Sequence, residues 1–285
     1  MSIRKFVIPA IAAALTVLPV MAHADMTASP SKIISLSPSA TEDLFAIGAG
    51  AQVVAVDDLS NFPANAPVSK LSAYDPNVEA IAAYSPDLVI MNSTATKEAD
   101  VATQLQSLGI KVYTEVSPNS IVQAYSEISD LGSATGHATQ ASSIIAGMKS
   151  SIAKIVKSGR KQNPLSFFHE VDNTNYSATS QTFIGHVYSD FNMKNIADGA
   201  KQADSSGYPQ LQSEYIIKAN PRLIFLSDAQ YGESAKTVAK RPGWSNITAV
   251  KNKHVIALPA DIPSRWGPRL VNLYRFIATS IAKIS

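Results

Sequence analysis

The chain has 285 residues, with 24 Lys and Arg against 22 Asp and Glu, and no cysteine. The absence of thiols excludes disulfides, cysteine nucleophiles and thiolate metal sites, so an apolar core must hold the fold together. Balanced charge with no long Lys/Arg run argues against a nucleic-acid partner.

Arg4 and Lys5 precede an apolar run over 6–21 that ends in Ala22-His23-Ala24. A basic start, an apolar core too short to span a bilayer and a small-residue site predict a secretory signal peptide over 1–24. Removing it takes away Arg4 and Lys5 and leaves 22 basic against 22 acidic residues. The mature protein is expected to be soluble and periplasmic or cell-envelope. With no cysteine to acylate, it is not expected to be a lipoprotein. Residues 25–31 are small and polar and form an expected N-terminal arm.

From Lys32 the pattern alternates. A short apolar strand over 33–36 runs into Ser37-Pro38-Ser39-Ala40-Thr41-Glu42. Pro38 stops the strand, and Ser39-x-x-Glu42 has the spacing of a capping box opening a helix. Gly48-Ala49-Gly50 ends that helix. Strands follow at 53–56, 88–91 and 110–113, separated by helices near 77–85 and 96–108. Asp75 and Pro76 are the expected start of the first of these. Short strands spaced by helices predict a parallel sheet.

Two helices then follow with no strand between, over 119–131 and 137–158. The second would be roughly 33 Å long at 1.5 Å per residue. The alternation resumes with strands at 165–171, 223–226 and 254–258 and helices at 182–191, 213–219, 234–240 and 268–284. The expectation is an α/β protein of two lobes with mainly parallel sheets flanked by helices: an N-terminal lobe over 32–136, a connector helix over 137–159 and a C-terminal lobe over 160–285.

One internal echo stands out. The stretch 77–90 resembles 212–225: short helix, proline, buried strand, with Glu79 and Glu214 at the same offset before Pro86 and Pro221. Each glutamate alone suits the positive end of its helix dipole.

No motif supports catalysis. Gly48-x-Gly50 follows a helix and lacks a third glycine, and no Gly-x-Ser-x-Gly elbow occurs. His137, His169, His186 and His254 never pair at helical spacing, so no metal site is read from them; His169, beside Glu170, is the strongest candidate ligand. Aromatics fall in loops expected at strand carboxyl ends: Phe62, Tyr74, Tyr176, Phe183 and Trp266, with Arg265 among them. Together with the Pro38-Ser39-Ala40 turn they suit a cleft for a large, flat, partly apolar ligand.

Several stretches together resemble the periplasmic substrate-binding proteins of iron-chelate and cobalamin ABC importers. They are the 33–42 strand and turn, Asn61-Phe62-Pro63, the Glu79 helix before Pro86-Asp87-Leu88-Val89-Ile90, Glu170-Val171-Asp172, Arg241-Pro242-Gly243-Trp244-Ser245-Asn246-Ile247 and Pro263-Ser264-Arg265-Trp266-Gly267-Pro268-Arg269. The resemblance implies two lobes around a small-molecule metal chelate, no cofactor of the protein's own, and a monomer that docks on a permease dimer through Glu79 and Glu214. It leaves cobalamin, ferric siderophore and haem open, with cobalamin favoured by Asn61-Phe62-Pro63. An exported hydrolase working in the same cleft is the alternative from another class.

Overall fold

The structure, a computed structural model, describes residues 29–92, 96–200 and 206–284. The expected signal peptide and most of the N-terminal arm lie outside them. The first lobe contains β1 (Ile33–Leu36), α1 (Pro38–Ala46), β2 (Val53–Val56), α2 (Val78–Ala82), β3 (Leu88–Asn92), α3 (Thr96–Ser107), β4 (Lys111–Glu115) and α4 (Ile121–Thr135). Helix α5 (Ala138–Gly159) comes next. The second lobe contains β5 (Leu165–Glu170), α6 (Phe183–Asp190), β6 (Met193–Asn195), α7 (Ser213–Ala219), β7 (Leu223–Leu226), α8 (Ala235–Ala239), α9 (Thr248–Lys251), β8 (Val255–Ala257) and α10 (Leu270–Ala282).

The strand orders are β2-β1-β3-β4 and β6-β5-β7-β8, and every pairing is parallel. The two lobes therefore repeat one topology. The internal echo falls on α2–β3 and α7–β7, which hold equivalent places in the two sheets. In each sheet the chain changes direction beside its first strand, and such switch points place ligands at strand carboxyl ends.

Strand alternation sorts side chains onto two faces. Ile33 and Ile90 face one core; Ile34, Leu36, Val89 and Met91 face another, closed by Val101 and Leu105 of α3. In the second lobe Phe167 and Phe225 face inward, while Phe168, Ile224 and Leu226 pack with Val238, Trp244 and Ile247. The largest core does not stop at a lobe. It runs from Ile33 and Leu44 through Met148 and Ile152 of α5 and Leu273 and Ile277 of α10 to Phe167 and Phe225.

Several expected helix starts move. Helix α1 opens at Pro38, with Ser37 as its cap accepting from the Ala40 N–H at 3.3 Å, so the Ser39–Glu42 capping box does not form. Proline lacks only an N–H that the first helical position does not use, which frees Ser39 and Glu42 for other partners. Likewise Asn77, not Asp75, caps α2. Helix α4 runs on past Gly132 to a left-handed Gly136, because Gly132 lies where α4 meets Ala141 of α5 and a Cβ would collide there. Strand β6 was not expected: Met-Lys-Asn lacks an apolar alternation and pairs only as an edge beside β5.

Candidate functional site

Two adjoining cavities lie at the carboxyl ends of the strands. The larger, about 550 Å³, has Ser117, Pro118 and Asn119 after β4 on one wall, with Gln181–Ile184, Tyr208 and Trp266 on the other. The smaller, about 270 Å³, continues past Ile184, Tyr208, Pro263 and Ser264 to His169, Ser227, Gln230, Tyr231 and Asp261. Such volumes suit small-molecule clefts.

The second lobe supplies most of the wall. Thr182 caps α6 by accepting from the Gly185 N–H at 3.1 Å. This fixes Phe183, whose ring meets Trp266 edge-on at 6.5 Å between centroids. A Cβ on Gly185 would strike the Thr179 carbonyl, so only glycine allows the loop and helix to approach this closely. His169, on β5, is buried between the Tyr188 hydroxyl at 3.0 Å and the Ser227 hydroxyl at 3.1 Å. Burial lowers its pKa to about 4, so it is neutral at physiological pH. With both ring nitrogens engaged, its role here is structural. Next to it, Glu170 is fully buried and held by two Arg241 bonds of 2.6 Å; burial still lifts its pKa to about 6. Arg241 also bonds Glu233 and lies 4.7 Å over the Trp244 ring, which braces the end of β5.

The segment 259–269 decides which sequence-predicted residues reach the cleft. It leaves β8, passes the smaller cavity and crosses to the first lobe. There the Trp266 N–H meets the Ser39 hydroxyl at 3.4 Å. Gly267 lies against Asp43, where a Cβ would come within 2.7 Å of its carboxylate. Arg269 grips Glu42 with both its Nε, at 2.8 Å, and its Nη2. The crossing segment thus covers the turn after β1. Ser39 and Ala40 are buried, and Pro38, Ser39 and Ala40 line neither cavity.

Of the other expected residues, Phe183 and Trp266 are brought together at the cleft. Phe62 instead lies under Arg269, 4.3 Å from its guanidinium carbon. Arg265 lines neither cavity; it faces Glu42 at 4.0 Å and Asp261 at 3.8 Å. Tyr74 is 79 % exposed and lines neither cavity. Tyr176 pairs with Gln210 through its backbone, and its half-exposed ring lines neither cavity. Ser117–Asn119, Gln181, Tyr208 and Asp261 were not singled out from sequence. The loop after β4 could have been found by the strand-end rule alone; the others needed the fold.

A second charged feature sits behind the first-lobe wall. Asp43, Glu115 and Glu127 are buried on α1, β4 and α4. Burial, then Glu115 and Glu42, raises the Asp43 pKa well above the carboxylate range. Among the described residues no group of His, Asp and Glu has an arrangement suited to a metal ion, and no helix is long and apolar enough to cross a membrane.

Two parallel α/β lobes enclosing a ligand-sized cleft at their strand ends define a bilobal binding protein. The chain belongs to the periplasmic binding protein family, which it matches over residues 33–262. It is 35% identical to an uncharacterized ABC transporter substrate-binding lipoprotein, YvrC, of Bacillus subtilis (strain 168), covering 88% of this chain and 80% of that one. It is 27% identical to a cobalamin-binding protein of Halobacterium salinarum, over 86% of this chain and 68% of the other. Among solved structures, a possible iron-binding (periplasmic solute-binding) protein of Staphylococcus epidermidis superposes with a TM-score of 0.78 at 27% identity, covering 89% of this chain and 99% of that one. The protein is thus a substrate-binding component of an ABC importer, in a family that binds and transports rather than catalyses.

Proposed function

We propose that the protein captures a corrinoid such as cobalamin in this cleft and delivers it to the importer's permease dimer. The observation that carries the reading is the chemistry of the wall. Among the described residues lining the two cavities there is neither Lys nor Arg. Apart from the Asp261 carboxylate and the neutral His169, the polar side chains are amides and hydroxyls, among them Asn119, Gln181, Gln230, Ser117 and Ser264, beside Phe183, Tyr208 and Trp266. A chelate fringed with neutral amides finds donors and acceptors there. A ligand with ionised carboxylates would find no cation among those described residues to offset its desolvation.

The Halobacterium salinarum relative, named for cobalamin, supports the same ligand. The Staphylococcus epidermidis neighbour, named for iron, makes a ferric chelate the second reading. Glu79 and Glu214 are exposed in the first turns of α2 and α7, at equivalent places in the two lobes. They are the proposed docking pair, one for each half of a two-fold permease. The protein acts as a monomer outside the cytoplasm, binding and releasing its ligand unchanged.

The test is a fluorescence titration. Trp266 lines the cleft while Trp244 is buried in the second lobe. Cyanocobalamin should quench the emission saturably, and Trp266→Phe should remove most of that quench. Tighter binding of haemin or of a ferric hydroxamate than of cyanocobalamin would overturn the corrinoid reading. Turnover of the ligand would overturn the binding role.

A further inference from the structure

The mouth of the cleft holds a backbone feature that ligand capture, as described, does not use. Asp261 has φ 65° and ψ −48°, and the Ile262 N–H donates to the Ala260 carbonyl at 2.8 Å. A three-residue hydrogen bond around a residue with those angles is a γ-turn of the rare, strained hand. Strained backbone persists only where its surroundings enforce it, and it concentrates at functional sites.

The turn determines where the carboxylate lies. Oδ2 accepts from the Asn61 side-chain amide at 2.8 Å, across from the first lobe. Oδ1 is 3.8 Å from the Arg265 guanidinium. Asp261 also lines the smaller cavity. His169 being neutral, Asp261 is the one charged side chain among the described residues of both linings. Arg265 and Arg269 offset that charge from behind the wall rather than from the cavity side, and Arg269 is committed to Glu42. Arg265 lines neither cavity, its contact with Asp261 is long, and Glu42 draws it at 4.0 Å from the other side.

We propose that Asp261 is a specificity-determining residue, a carboxylate held at the cavity wall that turns away chelates carrying negative charge and admits neutral ones. The inference rests on the corrinoid reading for the identity of the admitted ligand. Its physics is general: like charges brought together in a partly desolvated cleft repel more strongly than in water, and discrimination between similar ligands commonly needs such a repulsive element. Removing the charge also exposes the ligand to the field of Arg265 behind it, so the preference should move in one direction.

Three proteins decide it: the unaltered chain, Asp261→Asn and Asn61→Ala. Each is titrated with cyanocobalamin and with haemin, which carries two ionised propionates, at low and at moderate salt. Asn accepts positive φ better than most residues and keeps an oxygen for Asn61. Asp261→Asn should bind haemin about tenfold more tightly and change cyanocobalamin affinity by less than about threefold, with the haemin effect shrinking as salt screens it. Asn61→Ala, which cuts the tether but keeps the charge, should leave the haemin to cyanocobalamin ratio where it was. Should the Asn variant fold poorly by its melting curve, Asp261→Gly tolerates the same backbone and gives the same readout. An unchanged ratio in the charge-removing variant, or an equal shift in Asn61→Ala, would overturn the filter. Failure of the unaltered protein to bind cyanocobalamin would instead overturn the corrinoid reading, and the haemin comparison would still judge Asp261.

Discussion

Arg269 is the residue whose loss should be felt most widely. Its guanidinium holds Glu42 through two charge-assisted bonds, and the Glu42 side chain is only 2% exposed. Arg269→Met keeps an apolar stem over Phe62 but leaves a buried carboxylate beside Asp43. Breaking one side of a buried pair costs about 3–5 kcal/mol when the partner charge is left alone; Arg265, 4.0 Å from Glu42, offsets part of this and points to the lower end, while the lost cation–π contact adds about 0.5–1 kcal/mol. Urea unfolding should show a loss within that range, with the midpoint lowered and the slope retained. The double variant Glu42→Gln, Arg269→Met removes both charges and should recover most of the loss, giving a coupling energy of roughly 3 kcal/mol, at the upper end for residues in direct contact. Because Arg269 lines neither cavity, ligand affinity should fall only as far as the joint between the lobes loosens. A single variant costing under about 1 kcal/mol, or a double variant no better than the single, would refute the ion pair as the clasp between the lobes.

Three further outcomes are expected. Burial, together with Glu115 and Asp43, pushes the Glu127 pKa up to about 11, so the folded form holds a proton that the unfolded chain releases above about 4.5. Stability should therefore fall as pH rises from about 4.5 toward 7, because the unfolded chain releases a proton that the folded form keeps. Glu127→Gln should raise stability at pH 7 and flatten the curve; an unchanged pH profile would contradict this. Replacing Glu79 and Glu214 together by Ala should leave cyanocobalamin affinity and melting temperature unaltered while slowing uptake by the reconstituted importer, and lost affinity would remove the docking role. Gly185→Ala should cost about 1–3 kcal/mol through overpacking against Thr179 and weaken binding, since Gln181–Ile184 must move with it; normal affinity would show that this wall is not used.

What could be read from the sequence depended on the range of the forces involved. Strands β1, β3, β5 and β7 are short apolar runs between turn residues, and α7 is bounded by local signals, so both followed from periodicity. The repeat of Glu79 and Glu214 survived as a sequence echo because it is a property of two local units. The Ser37 cap was missed by two residues because serine occupies 35, 37 and 39 alike, and only the position of Pro38 at the first helical turn chooses among them. Glu42 was read as a local cap when its partner lies 227 residues away. No local pattern marks that pairing. For the same reason Tyr74, Tyr176 and Arg265 looked like cleft residues: exposure at a strand end is legible, but which loops face each other is settled by the crossing of 259–269.

That crossing also limits how the protein can work. The chain passes between the lobes twice, through α5 and again through 259–269 into α10. Leu273 and Ile277 of α10 and Met148 and Ile152 of α5 belong to one core that includes both sheets. A hinge that opened widely would have to break this core, and each large buried side chain exposed costs about 1.5–3 kcal/mol. The contacts nearer the mouth are of another kind. Ser39 with Trp266, Asn61 with Asp261 and Arg265 with its two carboxylates are single or long polar contacts, each worth on the order of 1 kcal/mol; the Arg269–Glu42 clasp, which also covers Phe62, is the strong polar tie among them. The physics therefore divides the molecule into an apolar joint that stays shut and a polar rim that can part. Ligand entry is therefore expected to move the rim at the Asn61–Asp261 contact rather than the apolar joint, and the same rim carries the charge proposed to choose what enters.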